Sequence, residues 1–212
     1  MLDVSKYEKT KLLLIHKTKT MKKYFIAMMA AMLLSMPAMA QGKKVKSLEV
    51  SFNYQKQPGP GSNQYAVWIE NEKGEVVKTL FVTSFTTKGR VRGNEQPMRG
   101  YVKRPNCVPT WVKTVKANDL SDQQLDAVTG ATPQAGGRQT FTWDFTDQQG
   151  KKVRQGKYRV MVEATLYQAS DIIYSGTFST QDKAGNVTLT SKLTEPKESH
   201  QDMITDVKAV LK

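Results

Sequence analysis

Residues 126–132 read Asp-Ala-Val-Thr-Gly-Ala-Thr and bring one carboxylate and two hydroxyls together around two small residues. Ala131 and Gly130 leave room around the Thr132 hydroxyl, and glycine also permits a backbone turn that other residues resist. A hydroxyl that protrudes in this way can enter the active site of another enzyme and accept a group from it. The alternative interpretation is an ordinary helix end followed by Thr-Pro.

The rest of the chain offers few side chains for catalysis. Its histidines, His16 and His200, lie near the two ends of the sequence, and Cys107 is its one cysteine. A Ser-His-Asp triad and a zinc site of His and Cys ligands cannot be assembled from this set. We therefore expect no catalytic residue and no metal site. Cys107 is either a reactive thiol or, as we favour, a small buried apolar residue.

The N-terminal region has the pattern of an export signal. Lys22 and Lys23 precede an apolar run at residues 25–36, and Ala38-Met39-Ala40 provides a small-residue cleavage site. The run is shorter than the ~20 residues that a membrane-spanning helix needs. We therefore expect a signal peptide at 21–40 that is cleaved after Ala40. The mature protein is then periplasmic and not an integral membrane protein.

Two stretches flank that signal. Residues 1–20 carry no core pattern beyond a short apolar run, and we interpret them as a non-native upstream extension. Residues 41–212 have the length of a single domain. The domain boundaries predicted from the sequence are therefore 1–20, 21–40 and 41–212.

Alternating apolar and polar residues predict short β-strands through most of the mature chain. Residues 65–70 and 75–85 flank a Gly-bearing turn and predict a hairpin. Residues 174–179 and 187–193 predict a further pair of strands. Residues 203–212 fit a helix or a strand, and we favour a strand that closes a sheet edge. The pattern indicates an all-β fold, an Ig-like antiparallel sandwich with one short helix and a long basic loop.

The long basic loop is predicted at residues 86–118. Glu95 is its single acidic residue, and Tyr101 and Trp111 indicate that part of it packs. Its charge either keeps a solvated loop soluble or forms a surface for an anion or an acidic partner. Nucleic acid is not an expected partner of an exported protein. The basic residues of the loop are Lys88, Arg90, Arg92, Arg99, Lys103, Arg104, Lys113 and Lys116.

A short helix is predicted directly before the Thr132 motif, so that the flanking segment runs from 121 to 132. Ser121 is a suitable N-cap, and Gln124 has the spacing of a capping box. Gly130 is a natural residue for the exit from the helix. These features place the Thr132 hydroxyl just beyond the helix end.

Residues 126–132 resemble the acceptor motif of proteins that carry covalent flavin mononucleotide (FMN): Asp, two residues, Ser or Thr, Gly, Ala, then Thr or Ser. That motif occurs in the flavin-binding domains of sodium-translocating NADH:quinone reductase and related complexes. The resemblance implies that an FAD-dependent FMN transferase joins FMN to Thr132 through a phosphoester. It also implies a recognition frame, in which the Asp orients the hydroxyl or contacts a metal ion of the transferase. The frame consists of Asp126, Thr129, Gly130 and Ala131.

A second resemblance concerns the scaffold. Residues 141–160 resemble the Ig-like repeat of flagellar hook-capping proteins, with Phe145 departing where that repeat has Gly. Residues 46–212 as a whole are similar to a family of predicted bacterial periplasmic proteins of uncharacterised function. Members with the acceptor motif are associated with membrane electron-transfer proteins, including PepSY-type reductases. The residues that match the hook-capping repeat are Trp143, Asp144, Asp147, Gly150, Val153, Gly156 and Tyr158.

Together these resemblances imply a periplasmic electron carrier, not an enzyme, with FMN on Thr132 and the redox chemistry supplied by the cofactor. Trp111 and Tyr101 are candidates to stack on the flavin ring. The alternative for these two residues is a place in the core. The alternative for the whole protein is a flavin-free Ig-like binding module of the cell envelope.

Overall fold

Most of the regular structure is β-strand in the computed structural model, which describes residues 45–59, 61–194 and 200–212. The predicted extension at 1–20 and signal peptide at 21–40 lie outside the described residues. The strands are β1 (Leu48–Tyr54), β2 (Gln64–Asn71), β3 (Val76–Thr83), β4 (Thr129–Gly130), β5 (Gly137–Trp143), β6 (Lys157–Tyr167), β7 (Ser170–Ser179), β8 (Gly185–Val187), β9 (Thr190–Leu193) and β10 (Ile204–Leu211).

The helices of the described residues are all short. They are α1 (Ser84–Lys88), α2 (Gly100–Lys103), α3 (Pro109–Thr114) and α4 (Asp122–Asp126), with 3₁₀ turns at Ala117–Asp119 and Gln201–Met203. The one helix predicted from the sequence is α4. The predicted loop at 86–118 therefore contains more regular structure than expected, because its apolar side chains pack on a sheet.

Two sheets form the sandwich that the sequence predicts. The smaller sheet has the order β5-β1-β10-β8, and the larger has the order β4-β3-β2-β6-β7-β9. Neighbouring strands are antiparallel except β3 and β4, which pair in parallel through Val82 with Thr129 and Thr83 with Gly130. The predicted hairpin is β2 and β3, and its turn includes Gly74 with a φ of 77°. The fold class is therefore confirmed.

The core lies between the facing sides of the two sheets. Alternate residues of β1 are buried there, as their period of two predicts, and they meet the odd-numbered residues of β2. The rings of Phe52 and Tyr65 join the two sheets edge to face with centroids 5.3 Å apart. Tyr65 also stacks on Phe81 of β3 at 5.1 Å. This aromatic group fixes how the sheets pack at the end where β1 finishes.

A second apolar cluster covers the outer face of the larger sheet. Trp68 and Met161 point away from the core and pack under side chains of residues 101–125. Glu163 and Thr165 lie on the same outer face and are fully buried, although the strand pattern predicts that they face solvent. They are buried because residues 101–125, the covering segment, lie over this face of the sheet. This segment donates the backbone N–H groups of Thr110 and Trp111 to the Glu163 carboxylate at 2.9 and 2.8 Å.

The C-terminal segment forms a strand, as favoured from the sequence, but this strand lies inside the smaller sheet and not at its edge. β10 pairs with β1 on one side and β8 on the other, all antiparallel. The predicted single strand at 187–193 is wrong, because the chain crosses between sheets there. Its first part, β8, pairs with β10, whereas β9 pairs with β7 in the other sheet.

Residues 143–146, which begin with Trp143 and Asp144, make a hydrogen-bonded turn at the end of β5. The buried Trp143 donates its indole N–H to the Thr146 carbonyl at 2.7 Å, and Asp144 accepts the Thr146 hydroxyl at 2.6 Å. Phe145, between them, has a φ of 60°, a left-handed conformation that glycine adopts most easily. The backbone therefore keeps a conformation that favours glycine, although this chain has phenylalanine there. Tyr158 donates its hydroxyl to the Arg154 carbonyl at 2.7 Å.

Candidate functional site

The segment that leads to Thr132 begins with a well-capped helix. The Ser121 hydroxyl accepts the Gln124 N–H at 3.2 Å, and the Gln124 side chain accepts the Ser121 N–H at 2.8 Å, which confirms the predicted capping box. α4 ends at Asp126, four residues before the predicted exit at Gly130. Asp126 is exposed and pairs with Lys88 of α1 at 3.2 Å.

Thr129 and Gly130 form β4 and do not continue the helix. The Thr129 hydroxyl donates to the Leu125 carbonyl at 2.6 Å and accepts from the Thr87 hydroxyl at 2.7 Å. Gly130 lies directly against the Phe81 ring, where no larger residue fits. The motif glycine is therefore required by close packing against β3, and not by a turn at a helix end. Both residues anchor the segment to the larger sheet.

Thr132 follows this anchor and is partly exposed. Its backbone carbonyl accepts the Gln134 side-chain N–H at 3.0 Å, and Oε1 of the same Gln134 side chain accepts from Lys56 at 2.9 Å. Across the part of the chain that the structure describes, the Thr132 hydroxyl makes no hydrogen bond. The backbone of Thr132 is thus tied by a hydrogen bond, whereas its hydroxyl oxygen has no partner among the described residues.

A cleft of about 820 Å³ opens beside Thr132 at one end of the sandwich. It is formed where β1 and β3 end and where β2 begins, so residues distant in the sequence line it. Ala131 and Gln134 lie on the same wall as Thr132. The basic residues that line it are Lys56, Arg90, Arg92, Lys103 and Arg104.

The cleft is strongly positive. Among the lining residues that the structure describes, Glu95 is the one acidic side chain, and the hydrogen bond from Lys103 lowers the pKa of this carboxyl. Glu95 therefore remains ionised and offsets one of the five cations. The remaining positive charge favours an anion with several oxygens, such as a phosphate group. Four of these cations belong to the basic segment predicted from the sequence.

A smaller cavity of about 430 Å³ adjoins the cleft and has mostly apolar walls. Gly61, Gln64, Phe85 and Arg104 line both spaces, so the two are neighbours that share a wall. The Arg104 guanidinium lies over the Phe85 ring, 5.1 Å from its centroid. This contact places a cation and an aromatic face together at the junction.

Trp111 and Tyr101, the candidates to stack on a flavin ring, take the alternative place in the core. Trp111 is fully buried in the second cluster, and its indole N–H donates to the Thr79 hydroxyl at 3.1 Å. Tyr101 is also buried, and its hydroxyl donates to the Ala117 carbonyl at 3.2 Å. Both rings hold the covering segment on the sheet, and neither lines the cleft.

Phe85 and Lys56 are two lining residues of the cleft that the sequence analysis did not identify as part of a site. Phe85 is the last apolar residue of a strand pattern, and that pattern does not distinguish it from a core side chain. In the structure the chain turns into α1 after Thr83, which moves Phe85 out of the sheet. Lys56 lies outside the basic segment, in a polar stretch after β1, where no local pattern marks it.

Cys107 lies at the wall of the smaller cavity and is buried, as favoured from the sequence. Burial raises the pKa of its thiol to about 12, so it stays protonated at neutral pH. Asp171 lies buried nearby, and burial raises the pKa of its carboxyl to about 7. One of its oxygens, Oδ1, has no hydrogen-bond partner among the residues that the structure describes.

Within residues 45–59, 61–194 and 200–212, no three His, Cys, Asp or Glu side chains are grouped so that they could hold a metal ion. None of the helices in those ranges has the length and apolar character that crossing a membrane requires.

Comparison with known proteins gives one family. No curated protein and no solved structure matches the chain. The model of the family described as "Predicted periplasmic protein (DUF2271)" matches residues 47–194, from the start of β1 to the end of β9. The match includes the Thr132 segment and the basic residues of the cleft. The chain therefore belongs to this family of predicted periplasmic proteins.

Proposed function

We propose that this chain is a periplasmic electron carrier with FMN joined to Thr132 through a phosphoester. The observation that carries the proposal is the free Thr132 hydroxyl at the edge of a cationic cleft. The match of residues 126–132 to the acceptor motif identifies the same oxygen independently of the geometry. The alternative, a flavin-free binding module, explains the charge of the cleft but gives no role to that hydroxyl.

The attachment would balance as a nucleotidyl transfer from FAD. The Thr132 Oγ1 forms a bond to the phosphorus of the FMN half, the pyrophosphate bond of FAD breaks, and AMP leaves. The hydroxyl proton passes to a base of the transferase, because this segment has no base within hydrogen-bond distance of Thr132. Asp126 is exposed and lies six residues before Thr132 in the sequence, so its carboxylate is accessible for recognition by the transferase.

The residues of the cleft suit such a group. The phosphoester would lie among Lys56, Arg90, Arg92 and Arg104, whose positive charge offsets that of the phosphate. When bound, FMN supplies the electron-accepting and electron-donating chemistry. The same cations favour the reduced, negatively charged form of the flavin. The protein thus contributes position and electrostatics.

Export and partners belong to the same proposal. A signal peptide at 21–40, cleaved after Ala40, would deliver residues 41–212 to the periplasm. There the FAD-dependent FMN transferase would modify Thr132. A membrane electron-transfer protein such as a PepSY-type reductase would then exchange electrons with the flavin.

Co-expression of the chain with an FAD-dependent FMN transferase, in a host that exports both proteins to its periplasm, tests the proposal. Intact mass should increase by one FMN less one water, and the protein should be yellow. Thr132→Ala should lose both properties, whereas Thr132→Ser should keep them because it retains the hydroxyl. Thr140→Ala, at an exposed threonine of β5, is the matched control and should be modified like the wild type. An adduct that persists in Thr132→Ala contradicts the proposal.

A further inference from the structure

We infer that the cavity of about 430 Å³ beside the cleft binds the planar, three-ring isoalloxazine part of the flavin. The inference rests on the proposed attachment at Thr132 and adds where the ring lies. A phosphate in the cleft and a ring in the adjoining cavity would use both spaces with a single ligand. The residues that line both spaces are where a single ligand would extend from one to the other.

The chemistry of the two spaces differs in the way that FMN requires. The cleft around Thr132 is polar and cationic, whereas the smaller cavity is walled mainly by apolar surface that includes Phe85, Cys107 and Ala169. An aromatic ring gains free energy by leaving water for such a surface. Both volumes lie within the range of about 300–1,000 Å³ that is typical of small-molecule sites.

Polar groups at the rim would orient the ring. The side-chain amides of Asn106 and Gln168 make no hydrogen bond to any residue that the structure describes. Each offers one acceptor and two N–H donors to the pyrimidine edge of an isoalloxazine, which has donors and acceptors of its own. An apolar cavity with a few free polar groups is the usual composition of a cofactor site.

Phe85 and Arg104 form the entrance. Their stacking at 5.1 Å keeps a cation over an aromatic face at the junction of the two spaces. A flavin ring that enters the cavity passes this pair. It can then stack on Phe85 in place of the guanidinium, or lie under Arg104 in place of the phenyl ring. The buried Cys107 thiol behind it stays protonated, so the wall is neutral and not a competing nucleophile.

Filling the cavity tests the inference. Ala169 is partly exposed in the turn between β6 and β7 and lines the cavity, so Ala169→Trp should block it with little effect on folding. Ala184→Trp, in an exposed turn between β7 and β8, is the matched control. Circular dichroism and thermal unfolding confirm that each variant folds, and Ala169→Leu replaces Ala169→Trp if the latter does not.

The first readout is exposure of the attached ring. After co-expression with the transferase, the wild type and both variants should carry the same adduct by intact mass. Iodide should quench flavin fluorescence weakly in the wild type and in Ala184→Trp, and several-fold more strongly in Ala169→Trp. Equal quenching in all three modified proteins overturns the ring site and leaves the Thr132 attachment standing.

The second readout does not need attachment. Lumiflavin, which has the ring but no phosphate, should bind the unmodified wild type saturably. It should bind Ala169→Trp about tenfold more weakly, a difference of about 1.4 kcal/mol. If no adduct forms in the wild type, the proposed function fails while lumiflavin still decides the ring site. Identical lumiflavin affinity in wild type and Ala169→Trp, or no saturable binding, overturns it.

Discussion

The ring of Phe81 lies so close to Gly130 that a Cβ atom at this position would be 2.1 Å from its Cε2 atom. Phe81 has little freedom to move, because Tyr65 stacks on it at 5.1 Å and Phe141 lies 5.0 Å away. The glycine of the acceptor motif thus packs directly against the aromatic group that joins the two sheets. The position of Thr132, two residues later, depends on that packing.

Gly130→Ala should therefore destabilise the fold. We expect a loss of about 1–3 kcal/mol in the free energy of unfolding, the usual cost of overfilling a packed site. Gly156→Ala is the control, since a Cβ atom there meets nothing within 4 Å, and it should stay within about 0.5 kcal/mol of the wild type. Urea unfolding measures both. Equal stability of the two variants would contradict the prediction, because it would show that the Phe81 ring moves aside at little cost in free energy.

Stability should fall as pH rises from about 4 to about 7. Burial raises the pKa of Asp171 from 3.8 to about 7, so the folded protein favours the neutral carboxyl. This contribution is complete below the unfolded pKa and is lost as pH rises through the folded pKa. Burial raises the pKa of Glu163 as well, which acts in the same direction.

Asp171→Asn keeps a neutral side chain at every pH and should flatten that slope. At pH 8 it should be more stable than the wild type by up to about 4 kcal/mol, the upper limit set by the pKa shift. Asp119→Asn, at an exposed aspartate, controls for the loss of one negative charge. Chemical unfolding at several pH values gives the slopes, and parallel slopes for Asp171→Asn and wild type would contradict the expectation.

Glu163 should anchor the covering segment. Its carboxylate accepts the N–H groups of Thr110 and Trp111 at the start of α3, and Glu163→Gln leaves one of them without an acceptor. We expect a loss of about 1–3 kcal/mol and faster hydrogen exchange at the Trp111 amide. Glu72→Gln, at an exposed turn, should change neither quantity. Unchanged exchange at Trp111 in Glu163→Gln would rule out the anchoring role.

The cations of the cleft should tune the bound flavin. Replacing four of them with Gln removes positive charge beside the cofactor, and should lower its reduction potential on the order of tens of millivolts at moderate ionic strength. Spectroelectrochemistry of the modified protein measures the change. The four replaced residues are Arg90, Arg92, Lys103 and Arg104.

A matched variant removes the same charge from the opposite end of the sandwich. Its four exposed lysines lie in or beside the turns that join β2 to β3, β5 to β6 and β7 to β8, and none lines the cleft. The potential of this variant should stay near that of the wild type. Equal shifts in both variants would mean that the reduction potential depends on the net charge of the protein and not on the charges that line the cleft. The lysines are Lys73, Lys151, Lys157 and Lys183.

The sandwich was predictable because its signals are local. Alternate burial along β1 follows from apolar residues at a period of two, which the sequence shows directly. The turn before β3 is marked in the sequence by Gly74, a residue that adopts a positive φ easily. The capping box of Ser121 and Gln124 is a local signal as well. The chain crossing at 188–189 has no such signal, because only packing decides which sheet each short strand joins.

The candidate site was predictable only in part. The Thr132 motif and the basic segment could be identified separately, since each is contiguous in the sequence. That they line one cleft with Lys56 and Phe85 depends on which strand ends meet. Burial of Trp111 depends on the covering segment lying over the larger sheet, a contact between residues far apart in the chain.

Tandem mass spectrometry of protein from the periplasm of its own host tests the central claim most directly. Trypsin cleaves after Lys116 and Arg138, so one peptide, 117–138, contains both Thr129 and Thr132. The account predicts that this peptide carries one FMN and that fragmentation assigns it to Thr132. An unmodified peptide from a host that makes the transferase, or an FMN on Thr129, would contradict it.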